Sequence, residues 1–188
     1  MSNKDQRVRG AHSSLMALQP IDTAPFKRPS GPIFIWASIL VLWMCSLLPW
    51  RLWYPAPDLL LLVLAFWCLH EPARVGLVAA FAFGLLMDVH DSGVLGVHAL
   101  GYTLVAYGAV ALHRRLQHFN VWTQTVHMVP VLVAGAAVAR LLGAWLNGEW
   151  VGWDWLWSAL ITGALWPLAD ILLFLPQRRL DDADASAV

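Results

Sequence analysis

Residues 82–98, AFGLLMDVHDSGVLGVH, place two carboxylates and two imidazoles at the end of a strongly apolar stretch. The side chains belong to Asp88, His90, Asp91 and His98, and these types can ligate a metal ion or carry a proton. Their spacing is unfavourable for a metal, because His90 and His98 lie eight residues apart with an expected turn between them. The chain also has no H-E-x-x-H or C-x-x-C pattern, so a metal site is the less favoured interpretation.

The favoured interpretation of this segment is a structural corner between two helices. Asp91 or Ser92 is expected to cap the second helix, since short polar side chains accept hydrogen bonds from the first N–H groups of a helix. Gly93 and Gly96 would allow a backbone turn that other residues avoid. Neither a Ser–His–Asp spacing nor a P-loop accompanies the segment, so no catalytic motif is predicted.

Asp88 and Arg140 are predicted to lie inside apolar helices at a similar depth. Counted from the expected inner ends of their helices, they lie about 20 Å and about 21 Å along the helix axis. A charge at the centre of a lipid-facing helix costs roughly 2.5–3.5 kcal/mol. The two side chains are therefore expected either to form a pair or to end one polar network. The alternative is that Arg140 extends to the interface and Asp88 meets water at a helix end.

The elements that must position these residues are membrane-spanning helices. The chain has 188 residues, of which 59% are hydrophobic and 13% charged, and its mean hydropathy is +0.60. A soluble domain averages about 25% charged residues. Apolar blocks separated by charge or proline predict an all-α membrane protein with six spans of roughly 20 residues. The predicted spans are residues 33–50, 54–70, 75–93, 95–112, 126–146 and 154–175.

The predicted organisation is a flexible cytoplasmic arm at 1–31, a transmembrane domain at 32–176 and a cytoplasmic tail at 177–188. With the N-terminus inside, ten Lys and Arg residues fall on the inner side and only Arg51 falls in an outer loop. This bias predicts that both termini are cytoplasmic. Tryptophans are concentrated at the predicted outer ends of the spans, where indole rings favour the membrane interface. Near the opposite end, Pro167 is expected to kink the last span beside Asp170.

Two predicted spans carry small residues at four-residue intervals. The third has Gly76, Ala80 and Gly84, followed by Asp88. The fifth has Gly135, Ala139 and Gly143 beside Arg140. Small residues at this spacing let two helices approach closely. The simpler interpretation is packing within the bundle, and the alternative is contact with a partner helix.

A family resemblance emerges from the order of these features. Residues 57–107, PDLLLLVLAFWCLHEPARVGLVAAFAFGLLMDVHDSGVLGVHALGYTLVAY, resemble MreD, the bacterial rod shape-determining membrane protein family. The HRR at 113–115 and the LWP…PQRR at 165–179 resemble its proteobacterial branch. None of these pieces is a catalytic motif. Positions that match the family pattern are Pro57, Asp58, Gly76, Gly84, Asp88 and Gly96.

The resemblance implies a non-enzymatic scaffold subunit of the cell-elongation machinery in the bacterial inner membrane, without a cofactor. It implies MreC as the direct partner, with MreB, RodA and its penicillin-binding transpeptidase in the same machinery, and no nucleic acid. It also implies a six-helix fold similar to the substrate-binding components of vitamin transporters. Two other functions are kept beside the scaffold: a small-molecule binding or transport component, and a metal-dependent intramembrane enzyme. Fold analogy alone is a weak basis for the former.

Overall fold

The computed structural model describes residues 31–49, 55–92, 94–116, 118–149 and 152–175. Across these ranges the chain is all-helical, as predicted, and contains no strand. Most of the predicted arm, the whole predicted tail and Arg51 lie outside the described residues. The helices are α1 Pro32–Ser46, α2 Leu59–His70, α3 Leu77–His90, α4 Val97–Leu116, α5 Val121–Asn147 and α6 Asp154–Ala164.

Each helix falls within or across one predicted span, but capping residues set the ends differently. α2 begins at Leu59 because Pro57 precedes it and the Asp58 carboxylate accepts a hydrogen bond from the Leu61 N–H at 3.0 Å. α5 begins at Val121, five residues earlier than predicted, with Asn120 as its N-cap. It ends at Gly148, whose φ of 71° is the left-handed conformation that glycine adopts without strain.

The helix α2 forms the centre of the bundle. Ten of its twelve residues are buried, which is typical of a helix that is apolar on all sides. Along α4, Tyr102 contacts Asp58 and His113 contacts the Leu69 carbonyl, both at a separation of 44 residues. A constant separation means that α2 and α4 run parallel.

Contacts also give the relative directions of the other neighbouring helices. α4 and α5 run antiparallel, because Gly101 faces Ala139 whereas Gly108, further along α4, faces Val131, earlier in α5. α6 and the helical residues 166–175 that follow it run parallel to α2, because Asp58 bonds to Thr162 whereas Phe66, further along α2, contacts Phe174. The starts of α2, α4 and α6 therefore lie at the same end of the bundle.

The last helix is interrupted once. Helical structure resumes at residues 166–175 after a break at Leu165, two residues before Pro167, which has no N–H to continue the ladder. Asp170 is buried beyond this break and so faces the interior of the bundle.

The outer surface of the bundle is apolar. Large hydrophobic side chains are exposed on α1, α3, α4, α5, α6 and the helical residues 166–175. They include Val41, Val78, Tyr107, Leu141 and Ile171. A soluble monomer rarely exposes apolar patches larger than a few hundred Å². By length and composition, two described helical stretches could cross a membrane: Val121–Asn147 and Asp154–Leu175, which includes the break at Leu165. α2, with 12 residues, is about 18 Å long at 1.5 Å per residue, shorter than a full span, so the count of six spans stays a prediction.

Candidate functional site

Asp88 joins α3 to α4 through its side chain. Its carboxylate is 1% exposed and accepts hydrogen bonds from the backbone N–H groups of Gly96, His98 and Ala99, at 2.9, 2.7 and 3.1 Å. These are N–H groups of the first turn of α4, which have no partner within their own helix. A negative charge at this position also complements the helix dipole. The prediction that Asp91 or Ser92 caps this helix is therefore wrong, since Asp88 caps it from the end of the preceding helix.

His98 lies between two carboxylates. Its Nδ1 is 3.0 Å from Asp88 Oδ1, and its Nε2 is 3.6 Å from Asp91 Oδ2. His90, the fourth suggested metal ligand, is exposed on α3. Among the described residues, no group of three His, Cys, Asp or Glu side chains has an arrangement suited to a metal ion. The contacts of His98 and Asp88 thus belong to the helix cap.

Two glycines make this cap possible. Gly96 has a φ of 101°, so the turn before α4 uses a conformation that L side chains rarely adopt. Gly84 lies against the start of α4: a Cβ added there would be 2.6 Å from the Ala99 Cα and 2.9 Å from the His98 carbonyl oxygen. This close approach brings Asp88, one turn further along α3, to the N–H groups it binds. Gly93, the other predicted turn glycine, lies outside the described residues.

The structure shows no ion pair between Asp88 and Arg140, which was one of the alternatives that the sequence left open. Both Asp88 oxygens are engaged by α4, and its only charged contact among the described side chains is His98. Arg140 is half-buried on α5 and lines a cavity that His98 also lines. His98, which bonds to Asp88, therefore lines the same cavity as Arg140, but Asp88 and Arg140 share no direct bond.

This cavity has a volume of about 110 Å³ and lies between the starts of α2, α4 and α6 and the second half of α5. Its charged and ionisable lining groups are Asp58, His98, Tyr102 and Arg140. The indole of Trp155 and the hydroxyls of Ser158 and Thr162 complete the polar part of the lining, and the remainder is small and apolar.

Asp58 links three helices at one wall of the cavity. The Tyr102 hydroxyl donates to both carboxylate oxygens, at 2.9 and 2.8 Å, and this tyrosine is buried. The Asp58 N–H donates to the Thr162 hydroxyl oxygen at 2.9 Å. Asp58 thus caps α2 while it holds α4 and α6. The predicted positions Pro57 and Asp58 both line the cavity, whereas Tyr102 and Thr162 were not anticipated from the sequence.

The hydroxyl groups of the cavity are held by backbone carbonyls. Ser158 donates to the Ala56 oxygen at 2.6 Å, and Thr162 donates to the Ser158 oxygen at 2.7 Å. A nucleophilic hydroxyl needs a general base within hydrogen-bond reach of its proton. These protons are instead committed to amide oxygens. The arrangement joins helices through these hydroxyl groups.

The small-residue positions are used inside the bundle. A Cβ on Gly135 would be 2.3 Å from Val105 Cγ2, and one on Gly101 would be 3.0 Å from the Ala139 Cβ, so this face of α5 packs on α4. Gly84 likewise packs on α4. Gly76, the N-cap of α3, is in ordinary contact with the Pro72 oxygen at 3.7 Å. The close contacts at Gly84 and Gly135 support the simpler interpretation, packing within the bundle, and contact of these faces with a partner helix stays a prediction.

An apolar exterior around a helical bundle with a small polar cavity near one end is compatible with a helical membrane protein. Residues 27–175 match the family described as rod shape-determining protein MreD, so the chain belongs to the MreD family. It is 27% identical over 154 residues to the "Rod shape-determining protein MreD" of Haemophilus influenzae, covering 79% of this chain and 95% of that protein. No solved structure matches the chain, so the predicted similarity to vitamin-transporter components stays a prediction.

Proposed function

We propose that this chain is a non-enzymatic scaffold subunit of the bacterial cell-elongation machinery and that it binds MreC directly. Its membership of the MreD family is the observation that carries the proposal. The internal chemistry supports it, because the buried Asp88 and the Asp58–Tyr102 pair are used to join helices. MreB, RodA and its penicillin-binding transpeptidase are proposed as further members of the same assembly. Depletion in a rod-shaped host should make cells round, and cells that kept their shape would contradict the proposal.

The proposed topology has six spans with both termini in the cytoplasm of an inner-membrane protein. The ten-to-one distribution of Lys and Arg supports it. Reporter fusions after residues 120 and 188 should give cytoplasmic signals, and a fusion at residue 150 should give a periplasmic signal. A periplasmic signal from the fusion at 188 would rule out this orientation.

The proposed MreC contact lies on an outward apolar face, since the small-residue faces are occupied within the bundle. A photo-crosslinking residue placed at Val41, Val78 or Leu141 samples the exposed faces of α1, α3 and α5. At least one of these positions should crosslink to MreC in cells. Met128, which is fully buried on α5, is the matched inward control and should give no crosslink. Absence of crosslinks from all outward faces, scanned residue by residue, would refute direct binding in the membrane.

The cavity is the observation that favours a small-molecule function as the second candidate. Pockets for drug-sized ligands have volumes of about 300–1,000 Å³. The cavity here, at about 110 Å³, is several times smaller. It is therefore better suited to a small polar group than to an enclosed vitamin. Tight binding of a vitamin-like molecule by the purified protein would favour the transport alternative.

A further inference from the structure

We propose that the cavity between α2, α4, α5 and α6 binds the phosphate of a membrane phospholipid, with Arg140 and Trp155 as hydrogen-bond donors. The cavity volume of about 110 Å³ is several times the roughly 10–15 Å³ that a single water requires. Space for a phosphate-sized group is therefore present in a cavity that Arg140 and Trp155 both line. This inference concerns a ligand and does not depend on the proposed scaffold function.

Arg140 is the first of the two donors. Its side chain is half-buried and lines the cavity, and no described residue forms an ion pair or hydrogen bond with it. The Asp88 carboxylate, at a similar predicted depth, is committed to α4. A guanidinium offers a planar set of N–H groups that match the oxygens of a phosphate two at a time. An anion in the cavity would therefore satisfy a charge that the described fold leaves without a partner.

Trp155 is the second donor. Its Nε1 is buried and has no acceptor within the described part of the chain. The indoles of Trp43 and Trp166 share this property, but only Trp155 lines the cavity. An indole N–H can only donate, so it requires an acceptor such as a phosphate oxygen. Two residues whose donors lack acceptors among the described residues thus line the same cavity.

The position of the cavity favours a lipid as the source of the phosphate. Trp145, Trp153 and Trp157 are exposed at the same end of the bundle, near the end of α5 and the start of α6. Tryptophans collect at the level of the lipid headgroups. The N-terminus of α4, which would otherwise be a competing anion site, has its N–H groups occupied by Asp88. Arg140 lies about 10 Å before the end of α5 at 1.5 Å per residue, and Trp155 lies in the first turn of α6, so both are within about two helix turns of the level of the lipid phosphates.

Asp58 restricts the type of phosphate. Its carboxylate lines the cavity together with Arg140 and His98, and it already accepts hydrogen bonds from Tyr102 and the Leu61 N–H. A phosphomonoester carries about −1.5 to −2 charges near neutral pH and would be repelled by this carboxylate. A phosphodiester carries a single negative charge, and an ammonium on its headgroup would be attracted to Asp58. Phosphatidylethanolamine has this chemistry, and its primary ammonium can also donate hydrogen bonds to a carboxylate.

The test measures lipid retention by the purified full-length protein. Native mass spectrometry with added short-chain phosphatidylethanolamine should show one bound lipid, and the matching diacylglycerol, which lacks phosphate, should not bind. Arg140→Gln should weaken binding about tenfold or more, since it removes a charged hydrogen-bond donor. Trp155→Phe should weaken it several-fold by removing only the N–H. Arg74→Gln is the control, because Arg74 lies at the α2–α3 turn beside Glu71 and should leave binding unchanged.

Three outcomes would overturn the inference. Unchanged retention in Arg140→Gln and Trp155→Phe would show that the donors are not used. Displacement of the lipid by a few millimolar inorganic phosphate would identify a site for free phosphate instead. If Arg140→Gln does not fold, Ala136→Leu decides, since Ala136 lines the cavity and a larger side chain there should exclude the headgroup. Normal lipid retention by a folded Ala136→Leu protein would place the lipid elsewhere.

Discussion

Gly84→Ala tests the contact on which the α3–α4 corner depends. The added Cβ would lie 2.6 Å from the Ala99 Cα and 2.8 Å from the Ala99 nitrogen. Both are backbone atoms of α4, so no side-chain rotation can relieve the contact. Ordinary carbon–carbon contacts are about 3.5–4.0 Å, and the two helices must therefore separate by about 1 Å.

This separation would also break the Asp88 cap. The three N–H bonds that Asp88 accepts are 2.7, 2.9 and 3.1 Å long, and a shift of 1 Å would take them beyond hydrogen-bond distance. Forcing extra atoms into a packed core costs about 1–3 kcal/mol. Leaving even one buried N–H without an acceptor adds about 1–3 kcal/mol. Gly84→Ala should therefore destabilise the protein by about 2–6 kcal/mol.

The assay is thermal unfolding and monodispersity of the purified protein in detergent, with Gly143→Ala as the matched control. Gly143 is also in a helix, but its added Cβ would have its nearest contact at 3.7 Å, with Val97 Cγ1. Alanine there should be neutral or stabilising by up to about 1 kcal/mol, since glycine is unfavourable inside a helix. If Gly84→Ala proved as stable as Gly143→Ala, the close approach of α3 to α4 would be refuted.

Two further predictions concern the polar groups. Tyr102→Phe should destabilise the fold by about 1.5–3 kcal/mol because its hydroxyl bonds a carboxylate, whereas Tyr107→Phe at an exposed position should have little effect on thermal unfolding. Asp88→Asn and Arg140→Gln should have additive effects on stability, within about 0.5 kcal/mol, because the two side chains share no bond. If the double variant lost clearly less stability than the sum of the two single losses, the result would contradict additivity and support an ion pair.

The helices themselves could be predicted from the sequence, because long apolar blocks of this kind have few alternatives to a helical structure. The ends of the helices were predicted less well. A hydropathy pattern locates the apolar residues, whereas a helix begins at a polar capping residue that can lie outside them. Asn120 illustrates the difference: it starts α5 within a polar stretch that an apolar window excludes, and its side chain bonds the Val121 N–H at 2.7 Å. For α2 the signal was present, because an aspartate that follows a proline and precedes an apolar run is typical of an N-cap.

The partners of the polar residues were harder to predict. Tyr102 and Asp58 are 44 residues apart, and nothing in the order of the sequence shows that α2 and α4 are neighbours. Equal depth suggested Arg140 as the partner of Asp88, but depth leaves the rotation of each helix undetermined. The acceptor role of Asp88 depends on the close approach at Gly84, which is a property of the packed bundle.

The polar groups at this end of the bundle divide by charge. Asp58 and Asp88 each cap a helix of the bundle and accept hydrogen bonds from neighbouring backbone and side-chain groups. Arg140 and Trp155, in contrast, have no hydrogen-bond acceptor among the described residues, although leaving a buried donor unsatisfied costs free energy. An anion-binding site requires hydrogen-bond donors that have no acceptor within the protein. It also requires that nearby carboxylates already have partners of their own. The proposed lipid site adds Arg140 and Trp155 to a corner where Asp58 and Asp88 join helices, and so it is compatible with the scaffold.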